Sequence, residues 1–293
     1  MTLEQLRVFV CVAECEHMTR AAETLNLTQS ATSAAIAALE ERHGVRLFDR
    51  IGRRIALTGA GRAFLSVARA VLARAASAEQ TLADLAGLKT GALAIAASQT
   101  VGSYWLPRRI AAFHARYPGV AVALRIGNTD AVAELTRAGE VDLGFVEGEV
   151  DDPALAATPV DEDELLIVAA GGARASLEGL DAERLAAATW VAREKGSGTR
   201  AAFESALAAF GVDAARRRIA LELPSNEAIC AAVAAGAGLA VMSRLVVDAS
   251  IKAGDLAAAP LALPCRRFLL LRHRQRYESQ AARAFCAVLT SAG

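Results

Sequence analysis

Residues 25–40 read LNLTQSATSAAIAALE: a Leu-Asn-Leu step, a Thr-Gln-Ser cluster, then an alanine-rich run with no charge until Glu40. A helix bathed in solvent normally carries Lys and Glu on its outer face. A small, neutral, hydroxyl-bearing face is suited instead to close approach by another surface. Thr28 has the chemistry of an N-cap and predicts a helix that begins at Gln29. Thr32, Ala35, Ile36 and Leu39 recur at helical spacing and form its inward side, which leaves Gln29, Ser30 and Ser33 projecting from the first turns.

Upstream, Leu3, Leu6, Val8, Phe9 and Val12 mark an amphipathic helix that runs to about Cys15. Thr19 is a candidate cap for a short second helix, Arg20 to Leu25, and Asn26-Leu27 makes a tight turn before Thr28. Two short helices around such a turn, braced by a longer one, form a helix-turn-helix. In that motif the start of the last helix meets base edges in the major groove, where Gln pairs with adenine and Ser accepts either partner. An alanine-rich packing helix with incidental polar residues fits the same spacing.

Downstream, ERHGVRLFDRIGRRIALT (41–58) holds Arg42, Arg46, Arg50, Arg53 and Arg54. Val45–Phe48 and Ile55–Leu57 are predicted to pair as a hairpin with Gly52-Arg53-Arg54 near its tip. Such a wing sets guanidinium groups on phosphates beside the groove; a plain solvated face is the alternative.

These residues carry a resemblance. AAETLNLTQSATSAAIAALEERHGVRLFDR (21–50), with ALTGAGRAFL (56–65) after it, resembles the winged helix-turn-helix of the LysR-type transcriptional regulators, and the order of the segments downstream is similar to that family over essentially the whole chain. Many members carry basic or amide side chains in the middle of the recognition helix, where this chain has Ala34, Ala35 and Ala37. DNA contact is therefore expected at Thr28, Gln29, Ser30, Ser33, Arg50, Arg53 and Arg54.

From Gly59 to about Leu88 the residues are good helix formers. Phe64, Val67, Val71, Ala75, Ala78, Leu82 and Leu85 step by three or four, as in a helix packed along its length. Such a helix is roughly 45 Å long, more than a small domain covers by itself, so a second copy is the simplest partner. The resemblance likewise implies dimerisation through this linker helix, giving a homo-oligomer, dimer or tetramer, on paired half-sites.

Past residue 90 the texture changes to short apolar runs, among them Ala92–Ala97, Val120–Ile126, Leu143–Val146, Glu164–Ala169 and Phe268–Leu271, separated by helical stretches. This alternation predicts α/β units around largely parallel sheets. The resemblance implies two solute-binding-like lobes, the last strand and helix returning to the first. The expected fold class is therefore α/β with an N-terminal all-α winged helix-turn-helix, a long linker helix and a two-lobed C-terminal half. The expected boundaries are 1–58, 59–89 and 90–293, with lobe one about 90–162 and 266–293, lobe two about 163–265, and crossings near Asp161–Glu164 and Leu263–Arg267.

Ligands of open α/β sheets sit beyond the carboxyl ends of strands, against helix N-termini. ASQTVGS (97–103) offers Ser98, Gln99 and Thr100; IGNTDAV (126–132) offers Asn128 and Thr129. AREKGSGTRAAF (192–203) offers Ser197, Gly198 and Thr199 after Gly196, flanked by Lys195 and Arg200, as a nest for an anion. The Gly-Lys-Ser/Thr ending of a P-loop is missing. Glu147, after the strand Leu143–Val146, also faces the expected cleft and would repel an anion, so effector charge stays open; Asn226 is a further candidate. Taken singly, hydroxyl residues at helix starts are ordinary caps.

Hydrophobic residues make up 54% and charged ones 22%, enough to pack cores, while a formal charge of zero confines any nucleic-acid contact to a local patch. No long apolar run and no export signal is seen, and five scattered cysteines (Cys11, Cys15, Cys230, Cys265, Cys286) suit a reducing compartment, which points to a cytoplasmic protein with no membrane partner. None of the four histidines lies at a strand end beside a carboxylate or nucleophile, and no metal spacing occurs, so neither a cofactor nor a metal nor a catalytic role is expected. The partners expected are double-stranded promoter DNA and a small polar effector, with small acids and oxyanions as candidates. An α/β enzyme or a solute-binding module using the same cleft is the alternative.

Overall fold

The computed structural model describes residues 1–51, 54–85, 91–213 and 217–291. The chain divides into one unit of Met1–Ala86 with Ala138–Glu140, and a second of Gly87–Arg137 with Val141–Gly293.

In the first unit, α1 (Leu3–Cys15) opens on a capping box, with Thr2 Oγ1 accepting from the Gln5 amide at 3.2 Å and Gln5 Oε1 accepting from the Thr2 amide at 3.0 Å. α2 covers Met18–Thr24, earlier than the cap at Thr19 predicts: His17 starts it, its Nδ1 accepting from the Arg20 amide at 3.4 Å. Asn26, at φ 54°, turns the chain in the left-handed region. α3 (Gln29–His43) starts at Thr28, whose Oγ1 accepts from the Ala31 amide at 3.2 Å, and stops at Gly44, at φ 64°. Phe9, fully buried, joins these helices: its ring centroid lies 5.5 Å from Phe48 and 4.9 Å from Phe64, with Leu6, Val12, Ile36 and Leu39 around it.

The wing strands are β1 (Phe48–Ile51) and β2 (Arg54–Leu57), antiparallel with Phe48 opposite Leu57. The first strand is thus displaced from the predicted Val45–Phe48, and the cause is Glu40. Its carboxylate accepts from the amides of Leu47 and Phe48, at 2.7 and 3.1 Å, while Thr58 holds the Arg46 carbonyl at 2.8 Å and the Leu47 carbonyl at 3.0 Å. The backbone before Phe48 is bound to those groups instead of pairing across a hairpin.

α4 (Gly59–Leu85) lays Phe64, Leu65, Ala68 and Leu72 on this core. The predicted stripe divides. Phe64 faces the core, whereas Val67, Val71 and Leu82 are 56%, 37% and 70% exposed; the Leu85 side chain and residues 86–90 lie outside the described ones.

The described residues of the second unit form two lobes, the first on one sheet and the second on two. The first contains β3 (Gly91–Ser98), β4 (Val120–Gly127), β5 (Leu143–Glu147), β6 (Leu155–Asp163) and, near the chain end, Arg266–His273, with α5 (Leu106–Arg116) and α6 (Thr129–Ala138) between its early strands. A π-helical turn, Val101–Trp105, leads into α5. The second lobe carries β7 (Leu165–Ala170), β8 (Thr189–Arg193), β9 (Arg218–Leu223), β10 (Ala240–Ser243) and β11 (Leu256–Ala258), as a sheet of β10-β7-β11 and a pair of β8-β9, crossed by α7 (Ala182–Ala187), α8 (Gly198–Ala209), α9 (Asn226–Ala234) and α10 (Arg244–Ala253). The chain returns through β12, the Arg266–His273 strand, and closes with α11 (Gln280–Ser291).

Strand order in the first sheet is β4-β3-β5-β12-β6; β3 pairs parallel with β4 and β5, but β12 runs antiparallel to both β5 and β6. In the second lobe, β7 is antiparallel to β10 and β11, β8 is parallel to β9, and a bridge between Trp190 and Leu239 connects these pairs. Each lobe is thus largely parallel, as the alternation predicts, with one strand reversed: β12, which returns from the other lobe, in the first, and β7 in the second. β6 reads poorly in sequence, since Pro159 and three acids interrupt its pattern, and β11 has three residues. Each lobe has its own core: Leu93, Phe113, Phe145, Phe268 and Phe285 in one, Ile167, Trp190, Phe203 and Leu207 in the other. The chain leaves lobe one at Glu164 and re-enters it at Arg266.

Glu40→Ala removes a carboxylate that satisfies two backbone amides and should lower the stability of the winged unit by about 2 kcal/mol. Thermal unfolding of the full chain checks this, with Glu40→Gln, which keeps one acceptor oxygen, falling between the two.

Candidate functional site

On the winged unit, Thr28, Gln29 and Ser30 are exposed and Ser33 is half-buried. The Thr28 hydroxyl is occupied locally, capping α3 and lying 3.0 Å from Ser30 Oγ, so Gln29 carries the longest polar arm of this face. Ala31, Ala34 and Ala37 are exposed beside it and keep the relief low, as close approach to a groove requires. Arg50 and Arg54 are placed on the wing strands, but their side chains are not among those described, and Arg53 lies outside the described residues.

On the two-lobed unit the predicted residues meet in facing pairs. Ser98 ends β3 and Glu147 ends β5, each 1% exposed, and the Ser98 hydroxyl donates to Glu147 Oε2. The other Glu147 oxygen accepts from the Thr199 hydroxyl of lobe two at 3.4 Å. Beside it, Gly198 donates its amide to Thr129 Oγ1 at 3.1 Å. A Cβ on Gly198 would meet the Glu147 carbonyl oxygen at 2.2 Å, which is why this position takes glycine. Further along, Gln99 Oε1 accepts from the Asn226 amide at 2.8 Å, and Asn226 Nδ2 donates to Thr100 Oγ1 at 3.1 Å. Asn128 donates to Glu194 at 3.5 Å and caps α6 through Ala131. Ser197 caps α8, accepting from the Thr199 amide at 3.2 Å.

The expected anion nest is therefore already satisfied from within: its amides go to Thr129 and Ser197. Arg200, also on the wall of the cavity beside it, is bound to Glu204 at 2.7 Å and to Glu222 at 2.8 Å. What remains open is a cavity of about 270 Å³ with Thr129, Asp130, Glu147, Lys195 and Gly196 on its walls.

Several participants are silent in the sequence. Arg266, at the return crossing, donates Nε to Asp163 at 2.7 Å and Nη1 to Thr199 at 3.2 Å, and stands 3.7 Å from Glu147. Asp163 also accepts from Ser243 at 2.6 Å. Glu227 accepts from Gln99 at 2.8 Å and from Tyr104 at 3.1 Å; burial, followed by that carboxylate, pushes the Tyr104 phenol up to about 12. Arg193 donates to Asn226 at 3.0 Å and to both Glu194 oxygens. Burial opposes ionisation of Glu194, but the Arg193 hydrogen bonds prevail and hold its carboxyl below the usual range. Asp163, Arg193 and Ser243 end strands, which could have singled them out; Glu227, Tyr104 and Arg266 carry no such local signal.

The family pattern described as "Bacterial regulatory helix-turn-helix protein, lysR family" matches residues 3–62, and that described as "LysR substrate binding domain" matches residues 86–293. The chain belongs to the LysR family. It is 37% identical over 287 residues to the HTH-type transcriptional regulator YeiE of Escherichia coli K12, covering 97% of this chain and 96% of the relative. It is also 37% identical over 290 residues to "Probable RuBisCO transcriptional regulator" of Cyanophora paradoxa, covering 97% and 90%. Full-length CbnR, solved with its target DNA, shares the fold over all of both chains, with a TM-score of 0.73 at 24% identity. The regulatory domain of Synechocystis CcmR, solved with 2-PG, matches 69% of this chain and 97% of its own at a TM-score of 0.62 and 27% identity.

This LysR-family chain is accordingly a DNA-binding transcriptional regulator with an effector-binding domain, and its relatives are regulators, not enzymes. Among the described residues no helix is long and apolar enough to cross a membrane, and no group of His, Cys, Asp and Glu could hold a metal ion. All five cysteines are free.

Asp163→Ala leaves the Arg266 guanidinium buried without its closest counter-charge and should cost about 3 kcal/mol or more. Urea unfolding measures it, and Arg266→Met in the same background should recover part of the loss.

Proposed function

We propose that the LysR-family chain binds paired promoter half-sites as a homo-oligomer, dimer or tetramer, and that a small polar metabolite held between its C-terminal lobes modulates that binding. The working division is residues 1–58 for DNA, 59–89 for self-association and 90–293 for the effector, in a cytoplasmic protein. One observation carries the effector reading: the lobes meet through pairs of small polar groups, Thr100 with Asn226, Thr129 with Gly198 and Glu147 with Thr199, beside an open cavity. The two neutral pairs, Thr100 with Asn226 and Thr129 with Gly198, contribute only about 1 kcal/mol each, so a ligand that replaces them shifts the balance between open and closed lobes at low cost. Its unequal affinity for those two states then alters the spacing or angle of the DNA-binding units.

Gln29, with Ser30, Ser33 and Thr28, reads base edges, while Arg50, Arg53 and Arg54 contact phosphates. The exposed Val67, Val71 and Leu82 on α4 supply the self-association seam. The 2-PG complex of CcmR and the RuBisCO regulators among the relatives make small acids and oxyanions the first effectors to test. A small acid would take the Ser98 and Thr199 hydroxyls over from Glu147.

Gel shifts on promoter fragments test the division of labour. Gln29→Ala should change base preference, whereas Arg54→Ala should weaken all sequences alike and lower the salt dependence. Thr100→Val and Thr199→Val should abolish the thermal shift and altered DNA affinity induced by an active small acid, leaving DNA binding without it intact. Indistinguishable profiles for Gln29→Ala and Arg54→Ala, or loss of DNA binding in the cleft variants, would overturn these assignments.

A further inference from the structure

A second, larger cavity, of about 700 Å³, lies on the hinge side of the lobes. It adjoins the cleft cavity at Gly148, Glu149, Gly198 and Ala201, but its walls differ in chemistry. Lobe one supplies Leu269; lobe two supplies Leu165 and the α8 face of Ala201, Ala202 and Ala206; the return crossing supplies Pro264 and Cys265. A volume of this size falls within the roughly 300–1,000 Å³ range of small-molecule sites, and a mostly apolar wall with a few convergent polar groups is their usual lining.

The polar groups favour an anion. Arg266 and Arg267 line the cavity against one acid, Glu149. Arg266 is 8% exposed, and its Nη2 is buried with no hydrogen-bond partner, an expensive state for a guanidinium nitrogen. Its charge, however, is shared with Asp163 at 2.7 Å and with Glu147 at 3.7 Å, so Arg266 offers a donor more than an attraction. Arg267 is exposed and makes no ion pair among the described residues, and so offers the charge.

We propose that this cavity is a second ligand site, distinct from the polar cleft, for an amphipathic carboxylate whose head meets Arg267 and Arg266 and whose apolar chain lies along the alanine face of α8. Opposite walls come from the two lobes and the crossing lies at the base, so an occupant fixes how far the lobes separate. The site does not depend on the identity of the cleft effector.

Cys265 is a built-in reporter. It is the exposed one of the five free thiols, while burial pushes Cys11, Cys230 and Cys286 up to about 11. Iodoacetamide alkylation of the full-length protein, read by mass spectrometry on the Cys265 peptide, tracks occupancy. Octanoate at about four times its half-protecting concentration should slow alkylation about fivefold, whereas acetate and octylamine at equal concentration should not. Arg267→Met should raise the half-protecting concentration about fivefold, the scale of one exposed ion pair, and Ala202→Phe should remove protection by filling the wall. Thr100→Val, which disables the cleft response, should leave octanoate protection unchanged, so failure of the cleft reading is seen separately. No slowing by octanoate, equal slowing by octylamine, or protection unaltered in Arg267→Met would each overturn the proposal, and Arg267→Met decides it even where Ala202→Phe does not fold.

Discussion

The two-lobed unit depends on a buried ionic cluster at the crossings between its sheets. Arg266 enters the first sheet with its guanidinium against Asp163, the last residue of β6, and reaches Thr199 at the start of α8 and Glu147 at the end of β5. Two carboxylates and one guanidinium lie below a tenth exposure, so the group survives only because Ser98, Thr199 and Ser243 supply hydroxyl donors to the carboxylates. Burying such charges costs several kcal/mol per ion, and the return is conditional on geometry. What the cluster specifies is register: it brings the ends of β5, β6 and β12 and the start of α8 to one point.

That placement sets the contacts that join the two lobes across the cleft. The charges that hold the crossings, Arg266 and Asp163, sit where the chain passes between lobes, while the other interlobe contacts pair neutral groups, such as Thr100 with Asn226 and Thr129 with Gly198, or set a neutral donor against a single carboxylate, as Gln99 and Tyr104 against Glu227. Under the proposed effector reading, ionic contacts at the crossings with weaker ones across the cleft would let a modest ligand contribution choose between open and closed states. Glu147 stands between the two regimes. It belongs to the ionic cluster through Arg266 and to the rim through Thr199, so anything that competes for the Thr199 hydroxyl alters both.

The sequence revealed positions better than partners. Ser98, Thr129, Glu147, Thr199 and Asn226 could be picked out because strand ends and helix starts are written in local patterns: an apolar run stops, a small polar residue comes next, and a helix begins. Their pairing could not be picked out, since a hydroxyl that caps, binds a ligand or bonds a neighbour looks the same in one dimension. The expected anion nest shows the difference, its amides being taken by Thr129 and Ser197 from sites 69 and 2 residues away. Arg266 was invisible for a related reason: nothing near it in sequence announces Asp163, 103 residues earlier. The wing strand moved for the same cause on a smaller scale, as Glu40 claims the amides of Leu47 and Phe48 that a hairpin reading assigns across the turn.

The winged unit is built on a different principle. Its core is concentrated on Phe9, which contacts rings from the wing and from α4, and α3 buries only Thr32, Ile36 and Leu39. A helix held by so few residues leaves its remaining faces free of packing demands, which is what allows Ala31, Ala34 and Ala37 to stay small and exposed. Small side chains contribute little hydrogen-bonded discrimination, so the proposed readout falls on the first turn, where Thr28 caps the helix beside Gln29. Under the proposed assignment, discrimination rests on one amide and positioning on the wing arginines, so affinity would be set mainly by phosphates and selectivity by few base edges. The proposed recognition of paired half-sites by more than one copy would then restore specificity, because two modest discriminations multiply when both sites must be satisfied together.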